Sequence, residues 1–546
     1  MKDQADIPKM TAMRPPSQVM RLARMGAMFP TRLSFLRVLL RQLADERSKM
    51  TRTVWAIDDE GFGHAVYSLT LGGHDYSLVA VSSALPDEAR SDRVIATAWD
   101  TAYVLYDGKP DQDEIARIVA TAPLQEAGRF TERDLVLSRA NKSVRLFSHI
   151  VDRLRAGQQP DAALINQVGY LMRTTAVYGN GKFGIADRGL IEDRPGLSGP
   201  FAAEMLTVWM IRTFTHDLAE HLGGGALDQD LKRHLGIGNA TGLGMAPFLV
   251  SHPVLLNNWM LARETALARV RAQEMREDKR TLLLGNVRRA ADHLAEWAVP
   301  DPAHQSRIDK LRQEWPRIEA LISNHVGAID GLFRQGETFS LEAQELLVAL
   351  LIEAFPELVD DLAAGMHDPI GLCTRPFDDA ADVLQAIEAL YGWALDVDFD
   401  APEAQHQFWY VSAAKQEPRL GVRSAEPGAD LESPLDIARR VQALHRALKP
   451  GMDLAAFRKA HPEHELALTR VLTNAVHPYS EIQDNLIGED CLPIDMLRCK
   501  LAFFGATKFD PKSDRWTRIT LAQGAPLPED IEKGIGDDWW LKGLTA

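Results

Sequence analysis

Cysteine is scarce in this chain: Cys373, Cys491 and Cys499 are the only three among 546 residues, and no two form a Cys-x-x-Cys pair. That count argues against a disulfide framework and a cysteine-only zinc site, and a reducing, cytoplasmic setting is expected. Cys491 sits in the polar turn Gly488-Glu489-Asp490-Cys491-Leu492-Pro493, but lone cysteines are more often small packing residues than catalytic thiolates. Long apolar runs are also missing. None approaches the roughly 20 residues that a membrane-spanning helix needs, so no integral span is expected. Positive charge is in deficit, with 61 Lys and Arg against 76 Asp and Glu, a net charge of -15. No basic surplus exists to neutralise phosphates, which argues against general nucleic-acid binding. No His-Glu-x-x-His, EF-hand loop or Gly-x-Ser-x-Gly elbow occurs, so no cofactor and no metal are assigned.

What remains is the composition of a large globular protein, 46% hydrophobic and 25% charged, long enough for two or three domains. The charge is uneven. Residues 8–44 carry seven basic groups and no acidic one, interleaved with Met20, Leu22, Met25, Met28, Phe29, Leu33, Phe35, Leu36, Leu39 and Leu40; removing that +7 from -15 leaves -22 for the rest. Such an arm suits a membrane surface or an organellar transit peptide. The acidity of the remainder favours a clamp on an acidic surface of its own body or of a second subunit, which makes a homo-oligomer through the arm a further expectation. No signal-peptide apolar region with a small-residue cleavage site is seen.

The most informative stretch runs from Arg173 to Arg188, Arg-Thr-Thr-Ala-Val-Tyr-Gly-Asn-Gly-Lys-Phe-Gly-Ile-Ala-Asp-Arg. Its glycines permit positive φ and leave N–H groups uncovered, while Arg173, Lys182 and Arg188 add positive charge, so the segment can wrap a small anion. It matches neither the P-loop nor the dinucleotide fingerprint. A plainer reading stands beside this one: Asn180-Gly181 is a strong type I′ hairpin signal after the strand-like Thr174–Tyr178, and a hairpin needs no ligand.

Along the chain, Thr53 to Asp107 reads as short antiparallel strands with one face covered, including two candidates between Arg93 and Tyr106. Helices are expected near Arg133 to Arg155 and Asp161 to Met172. A strongly apolar, buried helix follows from about Pro200 to Leu222, ended by Gly223-Gly224-Gly225. A second glycine-rich segment spans Gly236 to Gly244. Ser251 and Pro253 then open a long helix, and residues 279–365 read as helices of a solvated outer layer. Phe408 to Ser412 and Trp516 to Leu521 read as strands, with a helix from Pro434 to Leu448. The fold class is therefore mostly α (α+β): a large helical body, a small antiparallel sheet near the N-terminus and short strands in the C-terminal third. The organisation expected is an arm over 1–48, a β region over 49–110, a helical domain over 111–365 and a mixed region over 366–546.

Four segments, Ser138–Arg145, Arg173–Arg188, Gly236–Asn258 and Lys415–Arg423, mix Gly, Asn and Arg beside aromatic residues, as a concave site for a small carboxylate or phosphate requires. The expectation is a cytoplasmic enzyme of cofactor-independent acid/base chemistry, a lyase or hydrolase. Arg173, Arg188, Arg419 and Arg423, with Lys182, would hold the anion. Asn180, Gly181, Asn239 and Asn258 would orient it. Tyr178, Lys182, Glu204 or Lys415 would move the proton, with Asp187, His252 and Glu417 as lesser candidates. Glu204 needs a partner in so apolar a helix, and a structural ion pair competes with a general-base role. Two alternatives are a non-catalytic helical scaffold, motivated by the basic arm, and a metal-dependent phosphohydrolase using His216 and Asp217 with help from His149 or His221. The sharpest spatial expectation is that the Arg173–Arg188, Gly236–Gly244 and Lys415–Arg423 segments converge beside the 200–222 helix.

Overall fold

A computed structural model describes residues 13–85, 99–123, 131–179, 191, 193–239, 253–295, 297–299, 302–364, 366, 374, 379–401, 434–482, 493–505, 508–513, 516–539 and 544. The chain is α+β and mostly helical. It forms two compact units of interleaved stretches, one from residues 1–27, 243–284 and 316–499, the other from 28–242, 285–315 and 500–546.

The second unit is built on a nine-stranded sheet: β1 (Thr51–Ile57), β2 (Gly63–Leu71), β3 (His74–Ser82), β4 (Thr101–Asp107), β5 (Asp134–Lys142), β6 (Tyr170–Gly179), β7 (Gly236–Asn239), β8 (Lys508–Ser513) and β9 (Trp516–Leu521), in the order β1-β2-β3-β4-β5-β6-β7-β9-β8. The first six form an antiparallel meander. Gly72 and Gly73, at φ of 61° and 74°, make the two-residue turn that sets Leu71 opposite His74; both angles demand glycine.

Both faces of the meander are covered, not one. Val66, Val79, Val104 and Leu137 lie in one row across β2 to β5 and pack on Ile115 and Ile118 of the helix Gln112–Thr121. On the opposite face Tyr67 and Tyr103 meet Phe214 of the helix Ala202–Gly223, with ring centroids 6.4 and 5.7 Å apart. That helix is the expected buried one. Gly224, at φ 64°, ends it.

Two expected helices are corrected. Residues 134–142 form β5, and the helix begins only at Phe147; the segment 161–172 is a helix only over Ala162–Val168, after which Gly169 turns the chain into β6. β5 is buried along nearly its whole length, so it has no solvent face to impose the alternation by which a strand is recognised. β7 pairs in parallel with β6, as Tyr170↔Gly236, Arg173↔Gly238 and Thr174↔Asn239.

At Gly238 an added Cβ would lie 2.7 to 2.9 Å from three ring atoms of Tyr170. Gly238→Ala is expected to cost about 1–3 kcal/mol through overpacking, read as a lower Tm. Gly225→Ala, whose nearest neighbour is an ordinary 3.6 Å away, should move Tm far less, and equal shifts would show that Tyr170 yields freely.

The other unit is helical. Proline opens the helix Pro253–Arg271, which packs against the helices Ile329–Gly336, Leu341–Glu353 and Pro356–Ala363. The helix Leu341–Glu353 is buried over most of its surface, including Glu345, so the 279–365 stretch is not simply a solvated layer; its run Leu346 to Ile352 is apolar all round. The helices Ala380–Leu395, Pro434–Ala447 and Glu465–Val476 share a separate cluster around Ile387, Val441 and Val471.

Arginines of the basic arm are paired within their own chain. In the helical unit Arg14 and Arg24 meet Glu345; in the sheet unit Arg32, Arg37 and Arg41 meet Asp537. Cys499 is buried. No helix among the described residues is long and apolar enough to cross a membrane.

Candidate functional site

Antiparallel pairing from β2 to β6 gathers one set of strand ends at a single edge of the sheet. The β2–β3 turn, Asp107 at the end of β4, Asp134 at the start of β5 and Gly179 at the end of β6 all lie there. Residues 180–190 follow Gly179, and the chain is described again at Ile191 and from Asp193 onward. There Arg194 places Nε 2.8 Å from Asp107 Oδ2, and Pro195 accepts a 2.6 Å hydrogen bond from the Tyr76 hydroxyl. Both flanks of the glycine-rich stretch thus meet this edge.

The second oxygen of Asp107 faces His74. Its Oδ1 is 2.5 Å from His74 Nε2, and the imidazole lies edge-on to Tyr76 with centroids 5.0 Å apart. The His74 side chain is 41% exposed. In a neutral imidazole, a carboxylate on Nε2 favours the tautomer with Nε2 protonated and leaves Nδ1 as the lone pair, the arrangement a general base uses. Burial, then the charge of Asp107, raises the Tyr76 hydroxyl above its ordinary range, so it stays protonated and serves as a donor. Cations surround the pair. Arg133 donates from Nε and Nη2 to the Asp107 carbonyl at 3.0 and 2.7 Å and lies 4.5 Å from the Tyr106 ring, and Lys109 is 2.8 Å from Asp75.

The sequence-derived candidates are distributed as follows. Arg173 is sealed within β6 opposite Asn141 and Gly238, a strand residue rather than part of a loop. Tyr178 is opposite Leu137 on β6. Asn239 ends β7 opposite Thr174 and Ile519. Glu204 is buried in the first turn of the helix Ala202–Gly223, where the unpaired N–H groups favour a carboxylate. Asn258 belongs to the helical unit and accepts a 3.3 Å hydrogen bond from Asn257. Asn180, Gly181, Lys182, Asp187, Arg188, His252, Lys415, Glu417, Arg419 and Arg423 lie outside the described residues. β5, β6 and β7 are neighbours, so the stretches 138–142, 173–179 and 236–239 stand side by side.

His216 and Asp217 do not converge. Burial, then Arg212, pushes His216 well below its usual value, and the ring bonds to the Leu235 backbone. Asp217 instead accepts from the Tyr67 hydroxyl at 2.7 Å and from Arg52 at 3.0 Å, and burial raises its carboxyl despite these donors. His221 lies 2.9 Å from the Asp58 carbonyl, and His149 lies 3.5 Å from the Asp161 N–H. Among the described residues no three His, Cys, Asp or Glu side chains gather as metal ligands would.

The opposite edge of the sheet holds a buried polar cluster. The Asp100 carboxylate accepts the Lys142 backbone N–H at 3.1 and 3.2 Å, the Asp100 N–H bonds Asn141, and the Lys142 ammonium lies 5.7 and 5.6 Å from the rings of Phe62 and Phe147. Its enclosure makes it a brace between β4 and β5.

Sequence reasoning missed the His74–Asp107 pair. The Gly72-Gly73 signal foretells a turn at His74, but nothing local places a residue of β4 beside it. No known protein-family model, curated protein or solved structure matches the chain.

Proposed function

We propose that the protein is a cytoplasmic enzyme that moves a proton on a small anionic metabolite, in a lyase or hydrolase reaction, at the sheet edge around His74. The observation that carries this reading is the contact of His74 Nε2 with Asp107 Oδ1 in a side chain that is partly exposed to solvent. His74 Nδ1 is the base, Asp107 orients it and stabilises the imidazolium that forms, and Arg133 and Arg194 supply positive charge. The few cysteines support a reducing compartment.

The test begins with a screen of phosphate, phosphorylated sugars and di- and tricarboxylates, read by thermal shift and then by NMR detection of turnover. For the metabolite that is turned over, His74→Gln is expected to lower kcat by about 10²- to 10⁴-fold, the usual worth of a positioned general base, with little change in binding. Arg194→Gln should instead weaken binding. Full turnover by His74→Gln would remove this edge from the mechanism.

A further inference from the structure

The sheet unit ends on one side in β1, whose outer flank pairs with no strand among the described residues. Thr51, Arg52, Thr53 and Ala56 are exposed along it. We infer that this flank is an interface for a second copy of the chain: two β1 strands pair antiparallel about a two-fold axis close to Trp55 and join the two sheets into one. The inference does not rest on the function proposed for His74.

Backbone direction leaves the flank open. Asp58 donates its N–H to the Phe62 carbonyl at 2.9 Å, and a Cβ added at Gly63 would lie 2.0 Å from the Ala56 oxygen, so Ala56 and Asp58 turn polar groups toward β2. Direction alternates along a strand, and Trp55 therefore points its N–H and C=O outward. Unpaired groups of this kind are a template for another strand. The register shifts between Arg52 and Val54, and the regular part beyond that bulge, Val54–Ile57, holds the axis. The Trp55 ring lies 4.5 Å from the Arg52 guanidinium, 5.3 Å from the His221 ring and 6.4 Å from the Phe214 ring. Across the axis, the second copy's tryptophan extends this row on the same face of the joined sheet.

Charge selects the occupant. Lys49 precedes the strand and Arg52 lies near its start, whereas Asp58, Asp59 and Glu60 follow its end, and all five are exposed. Antiparallel pairing with an identical strand brings each basic end beside an acidic end, twice over because the axis is two-fold. Parallel pairing would set like charges together. Arg52 is already held by Asp217 at 3.0 Å, and the Asp58 carboxylate accepts the N–H groups of Glu60 and Phe62. Lys49, Asp59 and Glu60 form no ion pair among the described residues and so carry the complementarity. The acidic residues nearest Lys49 in the sequence, Asp45 and Glu46, end the helix Phe35–Asp45, where Glu46 accepts the Gly72 N–H at 2.7 Å.

Sedimentation velocity of the full chain at low ionic strength, over about 1–200 μM, decides the matter. One strand pair buries less than about 1,200 Å², the range of weak association. Wild-type protein is therefore expected to dimerise with a Kd of about 10–100 μM and to dissociate as salt is raised. Lys49→Glu in one protein, and Asp59→Lys with Glu60→Lys in another, should each weaken the dimer about 10-fold or more, since every change counts at both ends of the axis. Mixing these two proteins should restore association as a heterodimer, because both junctions then join opposite charges. Recovery on mixing also shows that both variants are folded. A wild type that stays monomeric throughout, unaltered affinity in the variants, or no recovery on mixing would each overturn the inference.

Discussion

Glu345→Gln should lower the unfolding free energy by about 3–5 kcal/mol, the cost of removing one partner from a buried ion-pair network. Glu345 is fully buried and lies against Arg14, Arg24 and Arg263. Burial alone would raise its carboxyl, but Arg14 and Arg263 outweigh that effect and hold it at about 2, against an ordinary 4.5. Glutamine fills the same space without neutralising the three cations. The pH dependence has a definite sign. A carboxyl depressed in the folded state contributes stability that is fully present above its unfolded value and is lost as pH falls through the folded one. The Glu345 contribution should therefore fade between about pH 4.5 and pH 2. Urea titrations of wild type and Glu345→Gln at pH 7 and pH 3 would check both points: the difference between the two proteins should be smaller at the lower pH. A gap of less than 1 kcal/mol at pH 7 would mean that the arginines find water instead.

A comparable loss, again about 3–5 kcal/mol, is expected for Arg212→Met in the sheet unit. Arg212 is enclosed in the middle of the helix Ala202–Gly223 and donates to the carbonyls of Lys232, Arg233, Leu235, Ala525 and Pro526 at 2.8 to 3.4 Å. Burial, then the proximity of Arg233, pulls its pKa down to about 9, which leaves the guanidinium charged at neutral pH. Methionine matches the length of the stem but leaves five inward-facing carbonyls without this donor. Lysine would keep the charge but lacks the fork that reaches acceptors on both sides, so Arg212→Lys should recover only part of the loss. Guanidinium denaturation of the three proteins would test the order wild type, Lys, Met; if Met matched wild type, water would have to be replacing the arginine.

Parts of the architecture were legible because local pattern and tertiary role agree. The Gly72-Gly73 turn between the β-branched and aromatic runs 63–71 and 74–82 reports a hairpin, and the apolar length of the 200–222 region reports a helix enclosed by its surroundings. Pro253 and Trp516 likewise mark the starts of a helix and a strand at the places observed. β5 was hidden because Leu135, Val136 and Leu137 are all buried and give no period of two. β7 was hidden because Gly-Ile-Gly-Asn has no strand propensity of its own and exists by pairing with β6 and β9. The candidate site divided in the same way. Glycine and arginine in one stretch point to residues 173–188, but Arg173 proves to be a strand residue, and His74, Asp107 and Arg194 come together only through the pairing of distant strands. The pairing of the basic arm with acidic residues of its own chain could be anticipated from the charge imbalance, which is a global quantity; its partners Glu345 and Asp537 could not.

The position of β7 between β6 and β9 affects how the protein is made. Asn239 pairs with Ile519, 280 residues later. At a translation rate of about 5–20 residues per second, roughly 14–56 s separate the two strands as they leave the ribosome. During that interval β7 has no β9 to pair with, and its backbone groups are open to whatever strand passes. The hairpin that eventually fills the place ends the sheet with β8, an edge strand interrupted by Pro511, which cannot donate to a further neighbour. The nascent chain is therefore most exposed to mispairing while residues 240–515 are being synthesised. Holding chaperones should associate with ribosome-bound chains stalled in that window and release them once the last strand has emerged.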